Sequence, residues 1–179
     1  MEREPQGGRR GESPRTIGAS APAGEVTVHV DKASIGFSAA HFSIVETGSE
    51  PLHGHNYTVS LRAHGGLRED GTVIDFALLK AAARAEVALL DHRMLVPTAC
   101  PEVRVTQLEG EVELREGARR FLLPASDTCL LPVSNTTCEC LAEHLLGRLR
   151  ERLGEVTVRL EVTVEESPGQ GATVTEPLR

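Results

Sequence analysis

Alternation of apolar and polar positions organises most of this chain. Val26, Val28 and Val30 share one face between Glu25 and Asp31, and Ile35, Phe37, Ala39 and His41 take up one phase after a short break. That pattern predicts two strands or one long bent strand. Phe42 to Leu52 holds Gly48 and Pro51 and reads as a loop. His53 to Ala63 alternates again, with His53, His55, Tyr57, Val59 and Leu61 on one face and Thr58, Ser60 and Arg62 on the other. Turns are expected at Gly65-Gly66 and Asp70-Gly71, followed by a short extended piece at Thr72-Val73-Ile74.

The period then changes. Behind Asp75 as N-cap, Phe76, Leu79, Ala83, Val87 and Leu90 recur at helical spacing, which predicts an amphipathic helix over 76–90. Thr136-Thr137-Cys138-Glu139 has the form of a capping box ahead of the stripe Leu141, Leu145, Leu149, Leu153, with Gly154 suited to the helix end. Glu155 to Glu165 alternates without error, with Val156, Val158, Leu160, Val162 and Val164 inward. Between the helices, Met94 to Ser134 is too long for an ordinary connection. Val112–Leu114 and Phe121–Leu123 flank a Glu116-Gly117 turn, so an inserted β-hairpin is expected within about residues 96–134.

Composition narrows the class. At 179 residues the chain fits one domain, 25–179, behind an N-terminal tail, 1–24, rich in Gly, Pro, Arg, Glu and Ser, which is read as disordered. Aromatic residues are only 3% of the chain, so aliphatic side chains must fill the core. The net charge of −7 argues against nucleic acid or an anionic membrane surface as partner. No apolar run approaches the ~18–20 residues of a membrane span, and the start lacks the apolar stretch of a secretory signal. The four cysteines form no C-x-x-C pair and read as free thiols of a reducing compartment, which implies the cytoplasm.

Two features break the apolar pattern with chemistry. His53 and His55 lie two apart on a strand, so both point to the same face with Cα atoms roughly 6.5–7 Å apart. That face is the apolar one, where an unpaired imidazole is costly to bury. Gly54 puts no side chain between them, and His41 ends the other strand on its own apolar phase. If the two strands are antiparallel neighbours, three imidazoles meet. Three protein ligands leave a fourth position open, the layout of a catalytic zinc, and imidazole suits that metal. Glu166 is the second anomaly, a carboxylate on the inward phase directly after Val164. Aimed into a pocket, it could accept two N–H bonds from a flat heterocycle such as a guanine or pterin edge.

The order of Phe37-Ser38-Ala39-Ala40-His41, His53-Gly54-His55-Asn56-Tyr57, Val73-Ile74-Asp75-Phe76, Leu90-Asp91-His92, Asn135-x-Thr137-x-Glu139 and a strand ending Val164-x-Glu166-Ser167 resembles the 6-pyruvoyl-tetrahydropterin synthase family. That family includes the 6-carboxy-tetrahydropterin synthases of queuosine biosynthesis. The resemblance implies His41, His53 and His55 as zinc ligands, Asp91 and His92 as a proton-relay pair, Glu166 as the pterin anchor, and Thr136 and Thr137 as substrate contacts. It implies an α+β tunnelling fold, an antiparallel four-stranded sheet with two helices on one face. It also implies a homohexamer, a dimer of trimers with sites between subunits, and 7,8-dihydroneopterin triphosphate as substrate.

One departure bears on the reaction. The family's catalytic cysteine shortly before His-Gly-His is missing, Ser49 stands four residues ahead of His53, and Glu50 stands three ahead. This Glu-x-x-His-Gly-His arrangement resembles a variant branch that cleaves the side chain to 6-hydroxymethyl-7,8-dihydropterin, a folate precursor. Glu50 is therefore the candidate base, and that cleavage is the favoured reaction. The 6-carboxy and 6-pyruvoyl products are alternatives that the same residues would support. A pterin-binding, metal-dependent oligomer without turnover is the alternative from another class.

Overall fold

The computed structural model describes residues 24–31, 35–46 and 48–176. The tail expected over residues 1–24 lies, apart from Gly24, outside them. In chain order the elements are β1 (Val26–Val30), β2 (Gly36–His41), β3 (Ile44–Val45), β4 (Gly48–Ser49), β5 (His53–Gly65), α1 (Phe76–Leu90), β6 (Arg93–Pro97), β7 (Val103–Gln107), β8 (Glu111–Glu116), β9 (Arg119–Pro124), a 3-10 turn (Ala125–Asp127), β10 (Thr128–Leu131), α2 (Cys138–Leu153), β11 (Arg159–Ser167) and β12 (Gln170–Thr175).

β5 is the spine. β1 and β2 pair antiparallel with its two halves along one edge as two separate strands, while β11 pairs antiparallel with the other edge and carries β12 outside it. Those strands make the antiparallel sheet that was expected, but the full sheet is seven-stranded and mixed. β6 joins β2 in parallel, and β10 joins β6 in parallel. The reason is the crossover. Parallel neighbours need a long connection: the chain between β2 and β6 runs through β3, β4, β5 and α1, and the chain between β6 and β10 runs through β7, β8, β9 and the 3-10 turn. The expectation of four antiparallel strands is corrected accordingly.

Other boundaries shift for local reasons. Thr72–Ile74 forms no strand, although Val73 and Ile74 are buried in the core. The loop after His41 contains the small β3–β4 hairpin. In the segment between the helices, β8 and β9 pair antiparallel about Gly117, and β7 adds a third strand on the other side of β8. The flanking β6 and β10 belong to the main sheet.

The helices cover the apolar phase of the sheet. Val59 and Leu61 of β5 and Leu160, Val162 and Val164 of β11 pack with Leu79 and Leu90 of α1 and with Leu141, Leu145 and Leu149 of α2 in one core. A smaller core of Phe42, Met94, Val96, Val103, Val112 and Leu114 holds the three-stranded sheet against the main one, with Phe121 packed on it. Asp75 caps α1, its carboxylate accepting from Ala77 N–H at 2.7 Å. Thr137, not Thr136, caps α2, so the capping box read from Thr136 to Glu139 does not form. Among the described residues no helix is long and apolar enough to cross a membrane.

The helices are joined by a buried carboxylate. Glu86 of α1 is 2% exposed and accepts from Arg148 Nε at 3.1 Å and Arg152 Nε at 2.6 Å, both on α2. Burial works to raise its pKa, but the two guanidinium hydrogen bonds and charges outweigh it and hold the group below its ordinary 4.5. A carboxylate depressed in the folded state contributes stability above its unfolded pKa, and that contribution is lost as pH falls through the folded value. Both arginines are partly exposed, so the expected loss for Glu86→Gln at neutral pH is modest, about 1–2 kcal/mol. Denaturant unfolding from about pH 3 to 7 should show a shallower acid-side decline for the variant than for the parent. Parallel curves for the two proteins would remove Glu86 as the source.

Candidate metal centre and its cleft

Antiparallel pairing of β2 with β5 puts His41 opposite His53 and Ala39 opposite His55. The three imidazoles therefore meet on the helix-facing side, and one nitrogen from each lies within 4.8 Å of the others. A Cβ added to Gly54 would sit 3.1 Å from the Ala39 carbonyl oxygen, so a bare backbone there helps β2 and β5 to approach. Tyr57 lies beside the cluster, 5.9 Å from His41 and 5.6 Å from His55 between ring centroids.

The tautomers follow from the neighbours. His41 Nδ1 is 3.0 Å from the Thr136 carbonyl oxygen, and His53 Nδ1 is 2.7 Å from that of Pro51. A carbonyl only accepts, so each Nδ1 carries the proton and each Nε2 keeps its lone pair. His41 is 1% exposed, and its Nε2 has no hydrogen-bond partner among the described residues. Burial, with the charges of His53 and His55, lowers its pKa and favours the neutral form. A buried nitrogen with a free lone pair, on a ring oriented by a carbonyl, is the usual condition of a metal-ligating histidine. The donor set fits zinc, and His41, His53 and His55 are the residues that would hold it.

A cleft of about 240 Å³ opens beside the cluster, lined in part by Ser43, Glu50, His53, Thr137, Cys138 and Glu166. Glu166 reaches it from β11, with Oε2 3.9 Å from His55 Nε2 and accepting from the Cys138 thiol at 3.7 Å. Glu50 lies between β4 and β5. Its N–H donates to Ser43 O at 2.9 Å, and its Oε2 accepts from Ser43 N–H at 3.3 Å. Ser49 instead lines a separate cleft with Pro51, Arg119 and Phe121. Of the two residues that stand for the missing cysteine, only Glu50 lines the histidine cleft.

Thr137 lines the cleft at the start of α2, but Thr136 does not. Thr136 is fully buried, its hydroxyl donates to Phe42 O at 2.9 Å and its carbonyl holds His41. It supports a candidate ligand from behind.

Asp91 and His92 lie elsewhere. Asp91 Oδ1 accepts from Ser38 N–H at 2.8 Å, and His92 N–H donates to Ser38 O at 2.7 Å, so the pair is fastened to β2 at the end of α1. His92 adopts φ 57°, an uncommon value for a non-glycine residue, and its Nδ1 is 2.9 Å from Asp91 Oδ2. The Ser38 hydrogen bond, aided by His92, holds the Asp91 carboxyl below its usual range. His92 is 82% exposed and lines a cleft with Ser38, Ala40, Asn56 and Arg93, and His55 of the cluster borders the same cleft; Ser38 and Asn56 stand on the phase opposite the histidines. One chain does not bring this pair into the cleft of Glu50 and Glu166.

Two neighbours of the site were not anticipated. Cys138 is the second of the two x positions of the Asn-x-Thr-x-Glu pattern, next to Thr137, and that adjacency was the available signal. Burial and the Glu166 charge push its thiol up to about 12, which makes it a neutral hydrogen-bond donor. Arg119, on β9, donates to the Glu50 carbonyl at 3.0 Å across 69 residues of chain, and no local pattern marks it.

The family model of 6-pyruvoyl tetrahydropterin synthase matches residues 30–177. A Pyrococcus abyssi protein assigned as a 6-carboxy-5,6,7,8-tetrahydropterin synthase is 31% identical over 145 residues, covering 80% of this chain and 87% of its own. The crystal structure of 6-pyruvoyl tetrahydropterin synthase from Plasmodium vivax is 30% identical with a TM-score of 0.82, covering 87% of this chain and 100% of that one. Two further structures of the P. vivax protein, each 29% identical with a TM-score of 0.82 and the same coverage, carry alanine or cysteine in place of a glutamate described as a catalytic residue.

A ligand that binds the folded state stabilises it, by about 2.7 kcal/mol at a free concentration one hundred times Kd. Added zinc should therefore raise the melting temperature of metal-stripped protein, and His41→Ala or His53→Ala should abolish both that rise and the bound zinc found by elemental analysis. Stoichiometric zinc retained by both variants would remove the histidine cluster as its site.

Proposed function

The chain belongs to the 6-pyruvoyl tetrahydropterin synthase family, which are lyases, and on that premise we propose that it is a zinc-dependent enzyme cleaving the side chain of 7,8-dihydroneopterin triphosphate to 6-hydroxymethyl-7,8-dihydropterin, a folate precursor. The observation that carries this reading is the Glu50 carboxylate in the cleft of His53 and Glu166, with Ser49 lining a different one. The glutamate described as catalytic in the P. vivax protein supports the same role for Glu50.

Each residue has a part that its position allows. Glu166 accepts N–H bonds from the amine and ring nitrogen of the pterin, with the N-terminal turn of α2 at Thr137 beside it. That holds a floppy side chain in one attack geometry. Glu50 removes the proton of a side-chain hydroxyl, the adjacent C–C bond breaks to leave an aldehyde, and the released electron pair delocalises into the pterin ring. A proton then returns to carbon. A carboxylate is a far stronger base than a serine hydroxyl near neutral pH, which favours Glu50 over Ser49. A zinc ion at the three histidines supplies Lewis-acid polarisation of a substrate hydroxyl when bound.

His92, oriented by Asp91, is the proposed proton donor. Its place on the opposite phase of the sheet makes a second copy of the chain the natural source, in line with the hexamer that the resemblance implies. Sheet-edge closure between copies would also cover exposed strand edges.

A second reading has its own support. The P. abyssi relative is assigned as a 6-carboxy-tetrahydropterin synthase, and so is one from Methanocaldococcus jannaschii, which would place the chain in queuosine-precursor synthesis. The 6-pyruvoyl product is the remaining member of the set. Incubation with zinc and 7,8-dihydroneopterin triphosphate, read by mass spectrometry, separates all three. The 6-hydroxymethyl product is expected, and a 6-carboxy product would overturn the cleavage reading.

Two variants test the residue roles. Glu50→Gln should lower kcat at least ~100-fold, in the range for loss of a general base, while Ser49→Ala stays near the parent. The reverse result would leave Glu50 a loop residue. Glu166→Gln turns an acceptor into a donor facing donors, so KM should rise roughly tenfold or more. An unchanged KM would exclude Glu166 as the ring anchor.

A further inference from the structure

The inserted sheet touches the candidate base directly. Arg119, the first residue of β9, donates from Nη1 to the Glu50 carbonyl oxygen at 3.0 Å. Its guanidinium carbon lies 4.9 Å from the ring centroid of Phe42 and 5.1 Å from that of Phe121, and Nη1 is 3.4 Å from Glu116 Oε2. Phe42 and Phe121 themselves stack at 5.6 Å with their planes 18° apart. Phe42 directly follows the candidate ligand His41, and its carbonyl accepts from Thr136.

We propose that Arg119 is a positioning residue for the side-chain cleavage: through the Glu50 carbonyl it fixes the loop that presents the Glu50 carboxylate to the substrate. The inference rests on the reading of Glu50 as base. The physics is specific. A carboxylate between a two-residue strand and a thirteen-residue strand has few restraints of its own, and both hydrogen bonds given above between Glu50 and Ser43 stay within the same short loop. Arg119 adds a tie from outside it. A guanidinium is planar, is attracted to aromatic rings and keeps its donors in its own plane, so contact with the two rings restrains where Nη1 points. Nη1 reaches a backbone oxygen of Glu50, leaving its carboxylate available to the cleft. The inserted segment thereby takes part in catalysis without contacting substrate.

Arg119→Met keeps an apolar stem against Phe42 and Phe121 and removes the donors. It should lower kcat for 7,8-dihydroneopterin triphosphate about 10- to 100-fold, the scale for a reacting group displaced by an ångström or so, with KM within about threefold of the parent and zinc content unchanged. Because Arg119 acts through Glu50, the double variant with Glu50→Gln should be no slower than Glu50→Gln alone. A kcat within twofold of the parent, or independent losses that multiply in the double variant, would overturn the inference. So would a loss of zinc together with kcat, since that marks a structural role for Arg119. If Arg119→Met does not fold, Arg119→Gln, whose side chain is about two bonds too short to reach the Glu50 carbonyl, is held to the same kcat, KM and zinc criteria. Full turnover by Glu50→Gln would instead bring down the underlying base assignment, so the two failures are told apart.

Discussion

The site depends on the register of β2 against β5. That pairing sets His41 opposite His53 and Ala39 opposite His55, with the histidines on the side that also buries Tyr57 and Val59. The side-chain period of a strand is two, so a slip of one residue would send a strand's histidines to the opposite face. The rest is built outward from this pairing. The β3–β4 hairpin leaves the end of β2 and brings Glu50 back toward His53. The start of α2 docks on the same end through Thr136, which touches both Phe42 O and the His41 ring.

Backbone carbonyls then decide what the imidazoles can do. Thr136 is 95 residues from His41, while Pro51 is two from His53, yet both present an oxygen to Nδ1. One tautomer is selected twice, by a tertiary contact and by a local turn. Burial adds a second restraint at His41, where protonation would place a charge in an apolar setting beside two other imidazoles. The buried member of the cluster, His41, is thus kept free of positive charge by the surrounding fold, while Glu166 stands 3.9 Å from His55.

What could be read from the sequence was whatever a short window carries. The phase of β5, the phase of β2 and the stripes of α1 and α2 are local periodicities, and they located the three histidines on one face and Glu166 on an inward position. A helix cap is less local than its pattern suggests. Thr136 and Thr137 offer equivalent hydroxyls, and burial of Thr136 against Phe42 leaves Thr137 to cap α2. Strand neighbours across a long crossover were out of reach altogether, so β6 and β10 read only as part of an insertion. Arg119 shows the same limit, because its partner Glu50 lies 69 residues away and nothing in Arg119's own window marks it.

The placement of Asp91 and His92 follows from the same geometry. α1 ends against the backbone of Ser38, and Ser38 faces away from the histidines because strand faces alternate. A pair fastened at that point cannot turn into the cleft of its own chain without releasing both hydrogen bonds to β2. Its rigidity is what an acid or base partner needs, and its direction is outward, with His92 largely exposed. Under the proposed function, a cleft that holds a candidate base and a candidate ring anchor in one chain would take its relay pair from a second copy set edge to edge. Assembly and catalysis are then one constraint, imposed by the alternation of a single strand.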